Sequence, residues 1–69
     1  MDKIILSCDI VDVIGEYGIQ KTRERTLDFD GKPFGKIQVW YDICLEQGNG
    51  DMVESRRTLK EARQWAKEN

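Results

Sequence analysis

From Ile37 to Leu45 an apolar residue stands at every second position: Ile37, Val39, Tyr41, Ile43 and Leu45. Lys36, Gln38, Trp40, Asp42, Cys44 and Glu46 alternate with them. Successive strand side chains point to opposite faces, so this run predicts a strand with one face on a core and the other wetter. Gln47-Gly48-Asn49-Gly50-Asp51 follows, and its glycines and Asn suit the positive φ angles of a hairpin turn. Met52 to Arg56 would then return as a short antiparallel strand. Upstream, Lys21 to Phe29 reads as another strand, with Leu27 and Phe29 as its apolar contribution and Asp30-Gly31 and Pro33 marking the turn out of it. The simplest assembly is a three-stranded antiparallel meander with Ile37–Leu45 in the middle.

The last segment predicts a helix. Thr58-Leu59-Lys60-Glu61 has the form of a capping box, in which Thr58 accepts from the amide three residues on. Leu59, Ala62, Trp65 and Ala66 then share one side at helical spacing, and Lys60, Arg63, Gln64, Lys67 and Glu68 share the other. The N-terminal third admits two readings. Ile10, Val13, Ile14 and Tyr17 recur at helical intervals, Ser7 or Asp9 suits a cap, and Gly18 suits an end. This predicts an extended lead-in over Lys3–Ser7 and a helix over about Asp9–Tyr17. Against it, Ile4, Leu6 and Cys8 alternate, β-branched residues are dense, and Gly15 weakens a helix by about 1 kcal/mol relative to Ala. The other reading is a longer β segment, giving a four-stranded sheet with one helix. The first is preferred: α+β in the order α-β-β-β-α, one domain over residues 1–69, the meander packed by the C-terminal helix and an N-terminal helix.

With 69 residues the chain has room for one core, and about 60% of its unfolded surface is what such a chain buries. Two cysteines, Cys8 and Cys44, sit in apolar runs, where a free thiol behaves as a small hydrophobe; both are expected to be reduced and buried. The opening Met1-Asp2-Lys3-Ile4-Ile5-Leu6 does not have the form of a signal peptide, because Ser7, Asp9 and Asp12 interrupt the apolar run. Nothing approaches the ~20 apolar residues that span a bilayer. A cytoplasmic location with no membrane partner is the expectation.

The chemistry-bearing residues are few. There is no histidine, so the usual near-neutral acid–base group is missing and two distant cysteines do not complete a zinc site. Ser7 and Ser55 have no evident base, and the pairs Asp28/Asp30 and Asp9/Asp12 read as turn and surface carboxylates. Gly48-Asn49-Gly50 lacks the lysine of a phosphate loop. No catalytic residue, metal or cofactor is expected.

What remains is surface. Trp40 lies between Gln38 and Asp42 on the wetter face of the central strand, and exposed tryptophans flanked by polar groups are enriched at binding hot spots. The plainer possibility is a Trp40 packed beneath an Arg or Lys stem. Arg56 and Arg57 precede the capping box and suit bidentate contact with a carboxylate or phosphate, or else guard a strand edge. The net charge is −2 but uneven: acids dominate Met1–Gln20 and bases dominate Ser55–Asn69.

Thr58-Leu59-Lys60-Glu61-Ala62-Arg63 is similar to the opening of the last helix in double-stranded-RNA-binding domains, and the preferred element order matches theirs. Leu59 replaces one of that family's lysines, however, and an acidic first helix meets RNA badly. The function expected is therefore a non-enzymatic protein-interaction module: an adaptor, inhibitor or modulator, monomeric or dimeric, with Trp40, Gln38, Arg56 and Arg57 as candidate contacts. The alternative is a nucleic-acid-binding module using Arg23, Arg25, Arg56, Arg57, Lys60 and Arg63, provided those bases share one surface.

Overall fold

The computed structural model describes residues 2–69. Four strands, β1 (Lys3–Ile14), β2 (Tyr17–Leu27), β3 (Pro33–Cys44) and β4 (Met52–Arg56), form one antiparallel sheet in the order β1-β2-β3-β4. A single helix, α1 (Leu59–Glu68), follows. The three-stranded meander with an N-terminal helix is therefore incorrect: the N-terminal third is a twelve-residue strand on the edge of a four-stranded sheet. The element order that resembled the RNA-binding domains goes with it.

The misleading helical spacing has a physical origin. β1 carries register shifts at Leu6 and Val11, each inserting one residue opposite none on β2. Such a bulge resets the two-residue alternation. Judged by their β2 partners, Lys3, Ile5, Cys8, Ile10 and Val13 share one face, and Ile4, Ser7, Asp9, Asp12 and Ile14 share the other. Steps of two and three residues alternate, and the threes imitate a helix. Ile14 and Tyr17 are also three apart, but they are cross-strand partners around the Gly15-Glu16 turn. Gly15 has φ +59°, the positive angle that a two-residue hairpin needs at its first position.

The sheet has a helix side and an open side. On the helix side Ile19, Ile43 and Ala62 are wholly buried and make the core, with Ile14, Tyr17, Tyr41, Leu59 and Trp65 packed around them. Tyr17 and Trp65 meet edge to face, their ring centroids 5.3 Å apart. The helix begins as expected, with Thr58 Oγ1 accepting from the Glu61 amide at 3.2 Å. Arg63 Nε donates to Asp12 Oδ2 at 2.7 Å and ties the helix to β1, so the acidic and basic ends of the chain meet. Phe29, expected as an apolar residue at the end of the Lys21–Phe29 strand, lies in the β2–β3 turn and is 98% exposed. There Asp28 Oδ1 accepts from the amides of Asp30 and Lys32, the local bonding that makes Asp common in turns.

The β3–β4 connection folds back over the sheet. Glu46–Gly48 forms a 3-10 turn in which Glu46 and Gln47 have φ of 54° and 58°, strained values for residues with a Cβ. Bonds from the turn hold it there: the Gln47 amide donates to Glu16 O at 2.9 Å, and Gly48 O accepts from Gln20 Nε2 at 2.6 Å. Gly18 lies beneath this turn, and a Cβ there would collide with the backbone of Gln47 and Gly48.

Two predictions follow from these contacts. Gly18→Ala should destabilise the fold by about 1–3 kcal/mol or more, because backbone has to move to admit one methyl group; a urea midpoint equal to wild type would show that the turn does not seat on β2. The second concerns acid. The Arg63 hydrogen bond, helped by the Val13 amide, holds the Asp12 carboxyl below its ordinary 3.8, so the native state favours the ionised form. That stabilisation is complete above the ordinary value and disappears as pH falls through the depressed one. Asp12→Asn should lower the urea midpoint at neutral pH and lose the part of the acid-side decline that lies below about pH 4. Parallel curves for the two proteins across that range would exclude the Asp12–Arg63 clamp.

Candidate functional site

The open side of the sheet carries a row of polar side chains that bond from strand to strand. Asp42 on β3 is its centre: Thr22 Oγ1 on β2 donates to Oδ2 at 2.7 Å, and Ser55 Oγ on β4 donates to Oδ1 at 2.7 Å. Both carboxylate oxygens are thus engaged, and three strands are laced together. Toward β1, Cys8 Sγ lies 3.6 Å from Thr22 Oγ1 and donates to Gln20 Oε1 at 2.9 Å. These residues face one another because Cys8 pairs with Thr22, Thr22 with Trp40, and Asp42 with Ser55 in the sheet register.

A second row crosses the same face one step along the strands. Trp40 Nε1 donates to Glu24 Oε1 at 3.0 Å, and the same oxygen accepts from Lys3 Nζ at 3.2 Å. The Arg57 guanidinium lies over the Trp40 ring, 4.1 Å from its centroid, and donates through Nη2 to Gln38 Oε1 at 2.8 Å. A cation at that distance is attracted by the negative face of the ring. Trp40 is accordingly half-buried, roofed by arginine with its N–H satisfied.

Of the four residues singled out from the sequence, the structure gathers Trp40, Gln38 and Arg57 into one cluster. Arg56 is not part of it. As the partner of Tyr41 it belongs to the helix side, where it pairs with Glu54 at 2.8 Å and shares a shallow cleft with Glu61, Gln64, Trp65 and Glu68. The Glu54 carboxyl is held below its ordinary range chiefly by the Ser55 amide, with Arg56 adding to the effect. The other bases are similarly dispersed: Arg63 is spent on Asp12, and Lys60 lies on the exposed flank of α1.

Sequence reasoning counted strand edges in general among the grounds for an interaction module, but did not identify β1 as one. On β1, Ile4, Ile5, Leu6, Ile10, Val11 and Val13 are each 40–56% exposed. One side of this strand pairs with β2, and among the described residues no strand pairs with the other. The signal was present as the density of β-branched residues between Lys3 and Ile14, but an edge exists only once strand order is known.

Among the described residues no three His, Cys, Asp or Glu side chains gather as a metal site, and no helix is long and apolar enough to cross a membrane. The chain matches no protein-family model, and it has no significant match to a curated protein or a solved structure.

The cysteines divide. Both are free, but Cys8 is exposed rather than buried as expected, because the bulge at Leu6 places it on the open face of an edge strand. Cys44 is buried, and desolvation, reinforced by the Asp42 carboxylate, pushes its thiol pKa upward. Less thiolate and less access both slow alkylation. Iodoacetamide at neutral pH should therefore label Cys8 in the native protein and Cys44 only on unfolding, as read by peptide mass. Equal labelling of the two under native conditions would contradict this packing.

Proposed function

We propose that this chain is a non-enzymatic protein-interaction module, an adaptor, inhibitor or modulator whose partner adds to the sheet along β1. The observation that carries the reading is the β1 edge. Twelve residues span about 40 Å of strand, offering unpaired backbone groups and six exposed aliphatic side chains. A long apolar edge is a template for pairing, and folded proteins otherwise shorten, charge or cover it. Extended segments bind such edges through main-chain hydrogen bonds, while pockets for alternate side chains select the sequence. The two bulges favour a partner chosen to fit over indiscriminate stacking, since they break the regular ladder.

Trp40, Gln38 and Arg57 belong to this reading as a secondary contact on the open face, which a partner bound at β1 reaches across β2. Arg56 drops out, being turned to the other face. Nucleic-acid binding through the bases around α1 is disfavoured by their arrangement, because Arg57 lies on the open side while Arg56 and Arg63 are paired with carboxylates.

Charging the edge tests the proposal. Leu6→Lys with Val11→Lys places two lysines at the bulged positions, which have no β2 partner, so the fold should tolerate them. The urea midpoint should stay close to that of wild type, while capture of the wild-type partner from the native host should fall by about tenfold or more. Undiminished capture by the doubly charged variant would eliminate β1 as the docking edge.

A further inference from the structure

β2 passes out from under α1 partway along its length. Alternate residues from Tyr17 share the helix side of the sheet, and the first two, Tyr17 and Ile19, belong to the core. The next three on that side are Lys21, Arg23 and Arg25. The column turns from apolar to basic as it leaves the core. Beyond Lys21, which lies between Asp9 and Tyr41, its neighbours across the sheet are aliphatic or small: Ile4 stands beside Arg25, and Ser7 and Val39 flank Arg23. Ile37 continues the helix side of β3 beyond Val39, and Ile4 and Ile37 are 41% and 42% exposed.

None of these three bases has an ion pair among the described residues, whereas Lys3, Arg56 and Arg63 each have one. Asp9 is the cross-strand partner of Lys21, so the uncompensated charge is greatest at Arg23 and Arg25. Arg25 Nε donates to Gly35 O at 3.2 Å, which lays its guanidinium along the sheet. Successive members of the column are roughly 6.8 Å apart. Like charges in such a file repel, and carboxylates placed above them would relieve that and bond to the guanidiniums.

We propose that this bare half of the helix side docks an acidic amphipathic segment of a partner protein. Its carboxylates sit over Lys21, Arg23 and Arg25, and its aliphatic side chains sit on Ile4, Ile37 and Val39. A single-stranded nucleic acid fits the charge but not the rest. Stacking platforms require exposed aromatic rings, and Arg23 and Arg25 have aliphatic or small flanks instead, while Tyr41 beside Lys21 packs against the core. The net charge of −2 also opposes a long polyanion approaching from solution. The surface shares Ile4 with the β1 edge, but its test acts on Arg23 and Arg25 of β2 and is independent of whether that edge is used.

The experiment uses three fluorescein-labelled probes: an amphipathic peptide with Glu on one face and Leu on the other, the same peptide with Gln for Glu, and oligo(dT). Anisotropy titrations with the full chain at low salt should show saturable binding of the Glu peptide only, weakening as salt is raised. Arg23→Glu with Arg25→Glu should reduce the affinity by about tenfold or more, since like charges then oppose each other across the contact. If that variant fails to melt cooperatively, Arg23→Gln with Arg25→Gln serves instead and should reduce it several-fold. No saturable binding of the Glu peptide, equal binding of the Gln peptide, undiminished binding by the folded variant, or tighter binding of oligo(dT) would each overturn the proposal.

Discussion

A ten-residue helix is about 15 Å long, and the molecule it belongs to measures 42 Å along its greatest axis. The rest of the structure depends on that mismatch. One short helix has to supply the whole second layer of a four-stranded sheet, and it covers one end only. The wholly buried side chains of the core are therefore Ile19, Ile43 and Ala62, at the end where the β1–β2 turn, the β3–β4 turn and the helix C-terminus converge. Small domains are marginal because little surface can be removed from water. This one also leaves much of its sheet in contact with solvent.

The uncovered surface is handled differently on each side. On the open side, bonds between strands substitute for a packed layer: Asp42 holds Thr22 and Ser55, and Glu24 holds Lys3 and Trp40. Each such bond contributes modestly, about 0.5–1.5 kcal/mol net and somewhat more where a carboxylate accepts. On the helix side, β2 changes from Tyr17 and Ile19 to Lys21, Arg23 and Arg25, so the interior strand carries charge where no helix covers it. β1 keeps six aliphatic residues in the open along its length. The β1 edge and the basic column are two surfaces that the rest of the fold leaves without a partner of its own.

Most of the second half of the molecule could be read from the chain. The alternation expected over Ile37–Leu45 holds to the end of β3 at Cys44, and the return strand over Met52–Arg56 and the capped helix appear where the residues placed them. The turn takes its positive φ at Glu46, Gln47 and Gly48 rather than at Asn49 and Gly50. The first third was harder for a specific reason. Bulges at Leu6 and Val11 change the phase of alternation twice within one strand, and a period-two pattern with two phase shifts resembles a period of three to four. The candidate site was legible in part. Trp40 and Gln38 share a face by simple alternation, but Arg57 reaches them from another strand's end, and nothing near it in sequence indicates that it lies on the tryptophan.

By itself the sequence determined whatever depends on neighbours a few residues apart: the cap at Thr58, the apolar side of α1 and the alternating faces of β3. These follow from backbone sterics and local hydrogen bonds, which act over one turn of helix or one step of strand. Tertiary structure decided the matters of coverage. The register between β1 and β2 placed the bulges and turned Cys8 outward, strand order made β1 an edge, and the landing place of α1 left Arg23 and Arg25 bare. Exposure is a property of what lies across the sheet, and residues far apart in the chain become neighbours only when the sheet assembles.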